Sequence, residues 1–172
     1  MNKQEYISNK NKCKNPHDIR YVRYLKTASI VVILLVLLYT VSLAQITKRD
    51  FAQIISENIT ITCGFILATH ALLTFYVSKG LIREMPSLEY FESDRLKLLL
   101  ITISGFAAMN YVTGILGVIS LAKFYRWKDY YSFSEMLEKA RKEKRLHECV
   151  LLLLMYLVLS GLQWALGSMV LR

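Results

Sequence analysis

Four stretches of the chain run for 20 residues or more without a charge, and the remaining sequence lies between them. They cover residues 27–46, 59–78, 98–122 and 149–171. A helix rises about 1.5 Å per residue, so each run can match a hydrocarbon layer about 30 Å thick. The pattern predicts an all-α, polytopic membrane protein, a bundle of four transmembrane helices with a helical basic loop before the last span. Residues 1–26 read as a polar basic tail with an interfacial helix start. Residues 27–172 read as the four-helix transmembrane domain.

The few polar residues inside the runs are patterned. In 98–122, Asn110, Thr113, Gly117 and Ser120 recur at three-four-three spacing, with Gly114 beside them. That spacing gathers them on one helical face, which suits other helices better than lipid. In 59–78, Thr60, Cys63, Leu67, His70 and Thr74 share a face. In 149–171, Tyr156, Ser160, Gln163 and Gly167 share one face, while Gly161, Ala165 and Ser168 form a second. In the first run, Tyr39, Ser42 and Gln45 mark the expected inward side.

These faces give a candidate intramembrane cluster for binding or packing: His70, Asn110, Thr113, Tyr156, Ser160 and Gln163. His70 is the one side chain in any apolar run that titrates near neutrality, and an intramembrane ionisable group is a functional candidate by default. The plainer expectation is a neutral imidazole hydrogen-bonded to Asn110, Tyr156 or Gln163. Gly114, Gly117, Gly161 and Ala165 are the candidate helix-packing positions. The run 98–122 would be about 38 Å long as one helix, so it must tilt or rest its ends in the headgroups. A broken helix is a weaker reading, because one span with clustered Gly falls far short of a paired inverted repeat.

The intervening segments supply start and stop signals. Asn15-Pro16 reads as a helix start that continues into the first span. Met1 to Lys14 reads as disordered. Lys79-Gly80 reads as a helix stop, Pro86 breaks the second loop, and Ser93 reads as an N-cap with Asp94 in the first turn. Tyr90 and Phe91 are placed at the interface. Ser132 and Glu135 fit a capping box, opening a solvated helix expected to run on into the last span. Asn58-Ile59-Thr60 matches a glycosylation sequon but abuts the membrane, where a glycan is hard to attach.

Charge refines this picture. The formal net charge is +9, which in a soluble protein would suggest nucleic acid. Here the basic residues flank apolar runs and interleave with aromatics, so anionic lipid headgroups are the expected counterpart and nucleic acid is not. Arg20, Arg23, Lys26, Lys123, Arg126, Trp127 and Lys128 are the candidate interfacial residues. The tail holds 7 Lys and Arg, the three loops hold 2, 4 and 8, and the C-terminus holds 1. With four spans and the tail inside, these divide 12 against 10, so the positive-inside rule hardly selects an orientation. Both termini inside is preferred, since the tail usually dominates. A hairpin or re-entrant segment would instead put both basic stretches on one side.

Cys13, Cys63 and Cys149 have no paired spacing, so free thiols are expected, with no disulfide framework and no metal site. No cofactor and no catalytic residues are indicated. The first run lacks a small-residue cleavage pattern and is expected to be a retained span. The favoured function is a non-enzymatic accessory, assembly, immunity or regulatory subunit of a membrane complex, partnered by another membrane protein or by itself as a homo-oligomer. The alternative is a small oligomeric transporter or channel with a polar path near His70, Asn110 and Gln163, against which no carboxylate lies within any run. An integral membrane enzyme comes third, lacking HExxH, GxSxG, an intramembrane carboxylate pair or a His cluster. The cell membrane is the expected location, or an organelle membrane in a eukaryote.

Overall fold

A computed structural model describes residues 11–12, 19–84, 89–124 and 133–170. Seven helices follow one another there: α1 Ile19–Thr47, α2 Phe51–Glu57, α3 Ile59–Glu84, α4 Glu92–Ala107, α5 Tyr111–Phe124, α6 Phe133–Lys142 and α7 Leu146–Val170. The fold is otherwise irregular except for one backbone pairing. Asn11–Lys12 (β1) lies antiparallel to Glu89–Tyr90 (β2), so this part of the tail, expected to be disordered, is tied to the second loop. Asn15-Pro16, Pro86, Arg126, Trp127, Lys128 and Ser132 lie outside the described residues.

Three helices, α1, α3 and α7, are long and apolar enough to cross a membrane by length and composition, which suggests a membrane protein. They correspond to the first, second and fourth runs. Each begins or ends in the flanking basic sequence. In α3, Gly80 lies within the helix and does not stop it. Three of their buried hydroxyls are satisfied within the helix, as suits an apolar medium. Ser29 donates to Leu25 O, Thr40 to Val36 O and Thr74 to His70 O.

The run 98–122 is not one helix. It is split between α4 and α5, which fold back on each other as an antiparallel hairpin. Close approaches show the register: Gly105 faces Gly114, and Gly117 faces Thr102. Where four spans are expected, the described residues form three long apolar helices and a helical hairpin. The turn explains the break. Met109 N–H donates to Phe106 O at 3.1 Å, and Asn110 N–H donates to Gly105 O at 2.7 Å. These two bonds make a Schellman motif, with Met109 in the left-handed region at φ 57°. Asn110 then caps α5, its Oδ1 accepting the Thr113 N–H at 3.3 Å.

All the described basic helix ends converge on one end of the bundle. There the N-terminal part of α1 (Val22, Leu25), Leu81 of α3, Leu98 and Ile101 of α4, Leu121 of α5 and Leu152 of α7 form the main core. Helix α4 is the central element. It packs on α5, α6 and α7, while α1 packs on α3 and α5. Its residues are buried on most sides, including Leu96, Leu98, Ile101, Thr102 and Ser104.

Several local expectations are corrected. Phe91, not Ser93, is the N-cap of α4, and the N3 residue Asp94 accepts its N–H at 3.0 Å. Phe91 is buried under the Arg145 guanidinium, 5.2 Å from the ring centroid, and is not at an exposed interface. Helix α6 does not run into α7. A second Schellman turn, with Lys144 at φ 58°, separates them. Met136 and Ala140 of α6 dock on Leu96 and Cys149, so its partial apolar stripe is enough to seat it. In α1, Tyr39, Ser42 and Gln45 point outward, and Thr40 is the buried residue.

Candidate functional site

The polar centre of the bundle joins α3, α4 and α7. His70 is fully buried, and its Nε2 lies 3.1 Å from Ser104 Oγ. Ser104 donates its own proton to Ile101 O at 3.0 Å, so the imidazole must donate from Nε2. Tyr156 reaches across from α7, and its hydroxyl lies 3.1 Å from Thr74 Oγ1. Thr74 gives its proton to the His70 carbonyl at 2.9 Å, so the tyrosine is the donor to Thr74. The His70 and Tyr156 rings lie 4.9 Å apart and inclined at 49°. Spacing explains the grouping: His70 and Thr74 are one turn apart on α3, which stacks imidazole over hydroxyl on one face.

The sequence-derived cluster is thus brought together only in part. His70 and Tyr156 meet. Asn110 is buried in the hairpin turn as the α5 cap, and Thr113 is buried on α5 against α4. Gln163 is buried on α7, and Ser160 is half-buried beside it. Among the described residues no hydrogen bond joins His70, Asn110 and Gln163. His70 Nδ1, Asn110 Nδ2, Thr113 Oγ1 and Gln163 Oε1 have no hydrogen-bond partner there.

Ser104 is the residue that sequence reasoning missed. In a single helix over 98–122, the Asn110 face is the inward side. Once the run folds back, α4 has its own interior face, and the Thr102–Ser104 pair of hydroxyls in an apolar stretch was the available signal. The packing positions also divide. Gly114 and Gly117 do serve close helix approach, both within the hairpin. Gly161 and Ala165 are exposed, and a Cβ added at Gly161 meets nothing within 4 Å.

A second polar group closes the basic end. Lys97 of α4 pairs with Glu148 of α7 at 2.5 Å. Arg145 lies 3.5 Å from Glu148 and 3.7 Å from the buried Asp94. Glu143 Oε2 accepts the Ser93 N–H at 2.9 Å. These contacts fix the start of α4 to the turn between α6 and α7. Arg20, Arg23 and Lys123 are exposed and Lys26 half-buried at the same end.

At the far end, Asn58 of the sequon caps α3, accepting the Thr60 and Ile61 N–H groups at 3.1 and 3.3 Å. Among the described residues no group of three His, Cys, Asp or Glu side chains gathers to hold a metal ion. Cys63 and Cys149 are free thiols. No protein-family model matches the chain, and no curated protein or solved structure matches it either.

Proposed function

We propose that the chain is a non-enzymatic subunit of a membrane complex, acting in accessory, assembly, immunity or regulatory capacity. The observation that carries this reading is the use made of the intramembrane polar groups. His70, Ser104, Thr74 and Tyr156 bond to one another across three helices, which is a packing role. A transport path would need His70, Asn110 and Gln163 to line one passage, and among the described residues no hydrogen bond joins them: His70 bonds Ser104, and Asn110 caps α5. For that reason the transporter reading ranks below the subunit reading.

The proposed orientation follows from the hairpin. Helices α4 and α5 have 16 and 14 residues, so they measure about 24 and 21 Å. Each falls short of the roughly 30 Å hydrocarbon layer. We therefore read the hairpin as re-entrant, entering and leaving on the side of Lys97 and Lys123. The chain then crosses three times. The tail, the second loop and the third loop share one side, which holds 19 of the 22 Lys and Arg. This reading leaves three for the opposite side. The near tie of the four-span reading becomes a strong bias, and under this reading the positive-inside rule favours a tail on the cytoplasmic side.

The test is purification of the full chain from its native membrane in a mild detergent. A second membrane protein at fixed stoichiometry is expected, its binding lost on a substitution that leaves the bundle folded. A stable monomer that retains no protein overturns the subunit reading.

A further inference from the structure

Two hollows lie along the contact between α3 and α7. One, about 190 Å³, is lined by Val77, Gly80 and Leu81 of α3, Lys97 of α4, and Glu148 and Leu152 of α7. The other, about 340 Å³, is lined by Thr69 and Leu73 of α3 and by Met155, Val158 and Leu159 among the residues of α7. Among the lining positions, 69, 73, 77 and 80 on α3 and 148, 152, 155 and 159 on α7 step by three and four, with Leu81, Leu154 and Val158 beside them. Steps of three and four keep to one face, so both hollows are stations of a single seam. From Gly80 to Thr69 that seam covers about 16 Å of helix axis.

The two ends of the seam differ in chemistry. The deeper part is apolar, apart from Thr69, whose hydroxyl donates to Phe65 O in its own helix. The shallow end holds the Lys97 ammonium, whose side chain is only 12% exposed. Lys97 flanks an apolar run, as Lys79 does, so it stands where headgroups begin. The ammonium donates one hydrogen bond to Glu148, and both side chains line the hollow. Gly80 leaves the shallow hollow open, since a Cβ there would meet nothing within 4 Å.

We propose that this seam binds a phospholipid, with one acyl chain lying along Leu73, Val77 and Met155 and the phosphate at Lys97. An apolar groove facing the hydrocarbon layer is filled by chains, and an ammonium at its mouth selects the lipids that carry a phosphate. A largely covered Lys97–Glu148 pair at its mouth is what sets this groove apart from the plain apolar exterior of α1. The inference does not depend on the subunit reading.

The test is native mass spectrometry of the full chain in detergent. It is titrated with dioleoyl phosphatidylethanolamine and, in parallel, with dioleoylglycerol, which has the same chains and no phosphate. The phospholipid is expected to be retained at a tenfold lower concentration than the diacylglycerol. Lys97→Gln is expected to abolish that tenfold difference. Gly80→Leu, which fills open space and keeps the fold, is expected to lower retention of both lipids at least tenfold. Equal retention of the two lipids by the native chain overturns the proposal. So does unchanged retention in Gly80→Leu, which decides the matter even if Lys97→Gln fails to fold. A photocrosslinker at position 80 is expected to capture lipid, and capture of a protein helix there would also overturn it.

Discussion

Gly105 and Gly114 meet back to back across the hairpin: a Cβ added to Gly105 would stand 2.7 Å from the Gly114 backbone nitrogen. No flexible side-chain end is available to yield, so α4 and α5 would have to separate. Gly105→Ala should therefore destabilise the folded protein by about 1–3 kcal/mol, the usual range for overpacking. Gly161→Ala, at a helical glycine with open space around it, should be neutral or stabilising by up to about 1 kcal/mol. Unfolding by a denaturing detergent, followed by helicity, compares the two.

Met109 offers a sharper test of the turn. A residue other than Gly in the left-handed region costs about 1–2 kcal/mol, so Met109→Gly should stabilise the hairpin by about 1 kcal/mol. Were 98–122 one continuous helix, the same change would destabilise by about 1 kcal/mol. The sign of the shift in the unfolding midpoint distinguishes the two structures.

The Tyr156–Thr74 bond links α7 to α3 inside the apolar layer. Interhelical hydrogen bonds in membranes average about 0.6 kcal/mol, so a double-mutant cycle of Tyr156→Phe and Thr74→Val should give a coupling near that value. Ser104→Ala removes the acceptor for His70 Nε2 and leaves a buried donor bare, so it should cost more, about 1–3 kcal/mol. A coupling energy of zero would remove the tyrosine from the network.

Helix α6 has ten residues and is marginal by itself. Its seat is Ala140, fully buried beside Leu96, so Ala140→Glu would bury a carboxylate. The expected outcome is release of α6 with the bundle intact. Amide exchange should speed up across 133–142 and stay unchanged in α4 and α7. Unchanged exchange in α6 would show that Ala140 does not hold it.

Sidedness can be read with single cysteines in a background free of the native thiols. Cysteines replacing Arg20, Lys123 and Lys144 should react with an impermeant maleimide from the same side of the membrane. One replacing Lys48 should react only from the other. Reaction of the Lys123 and Arg20 positions from opposite sides would mean that the run 98–122 crosses the bilayer.

Much of this architecture was already fixed by residue order. Four uncharged runs, with charges confined between them, could only become apolar helices, because a backbone in hydrocarbon must satisfy its own hydrogen bonds. The inward placement of His70, Tyr156 and Gln163 followed from helical spacing and the cost of polar groups in lipid. Tertiary structure decided whether 98–122 went straight or folded back. Its turn has Met109 where a glycine would have announced a helix end, and Asn110 looks alike as a buried face residue and as a cap. The close approach of Gly105 and Gly114 gives the hairpin its packing, and only folding back could turn Ser104 towards His70. Spacing along a chain records which side chains share a face, but the partner opposite depends on the path of the backbone between them.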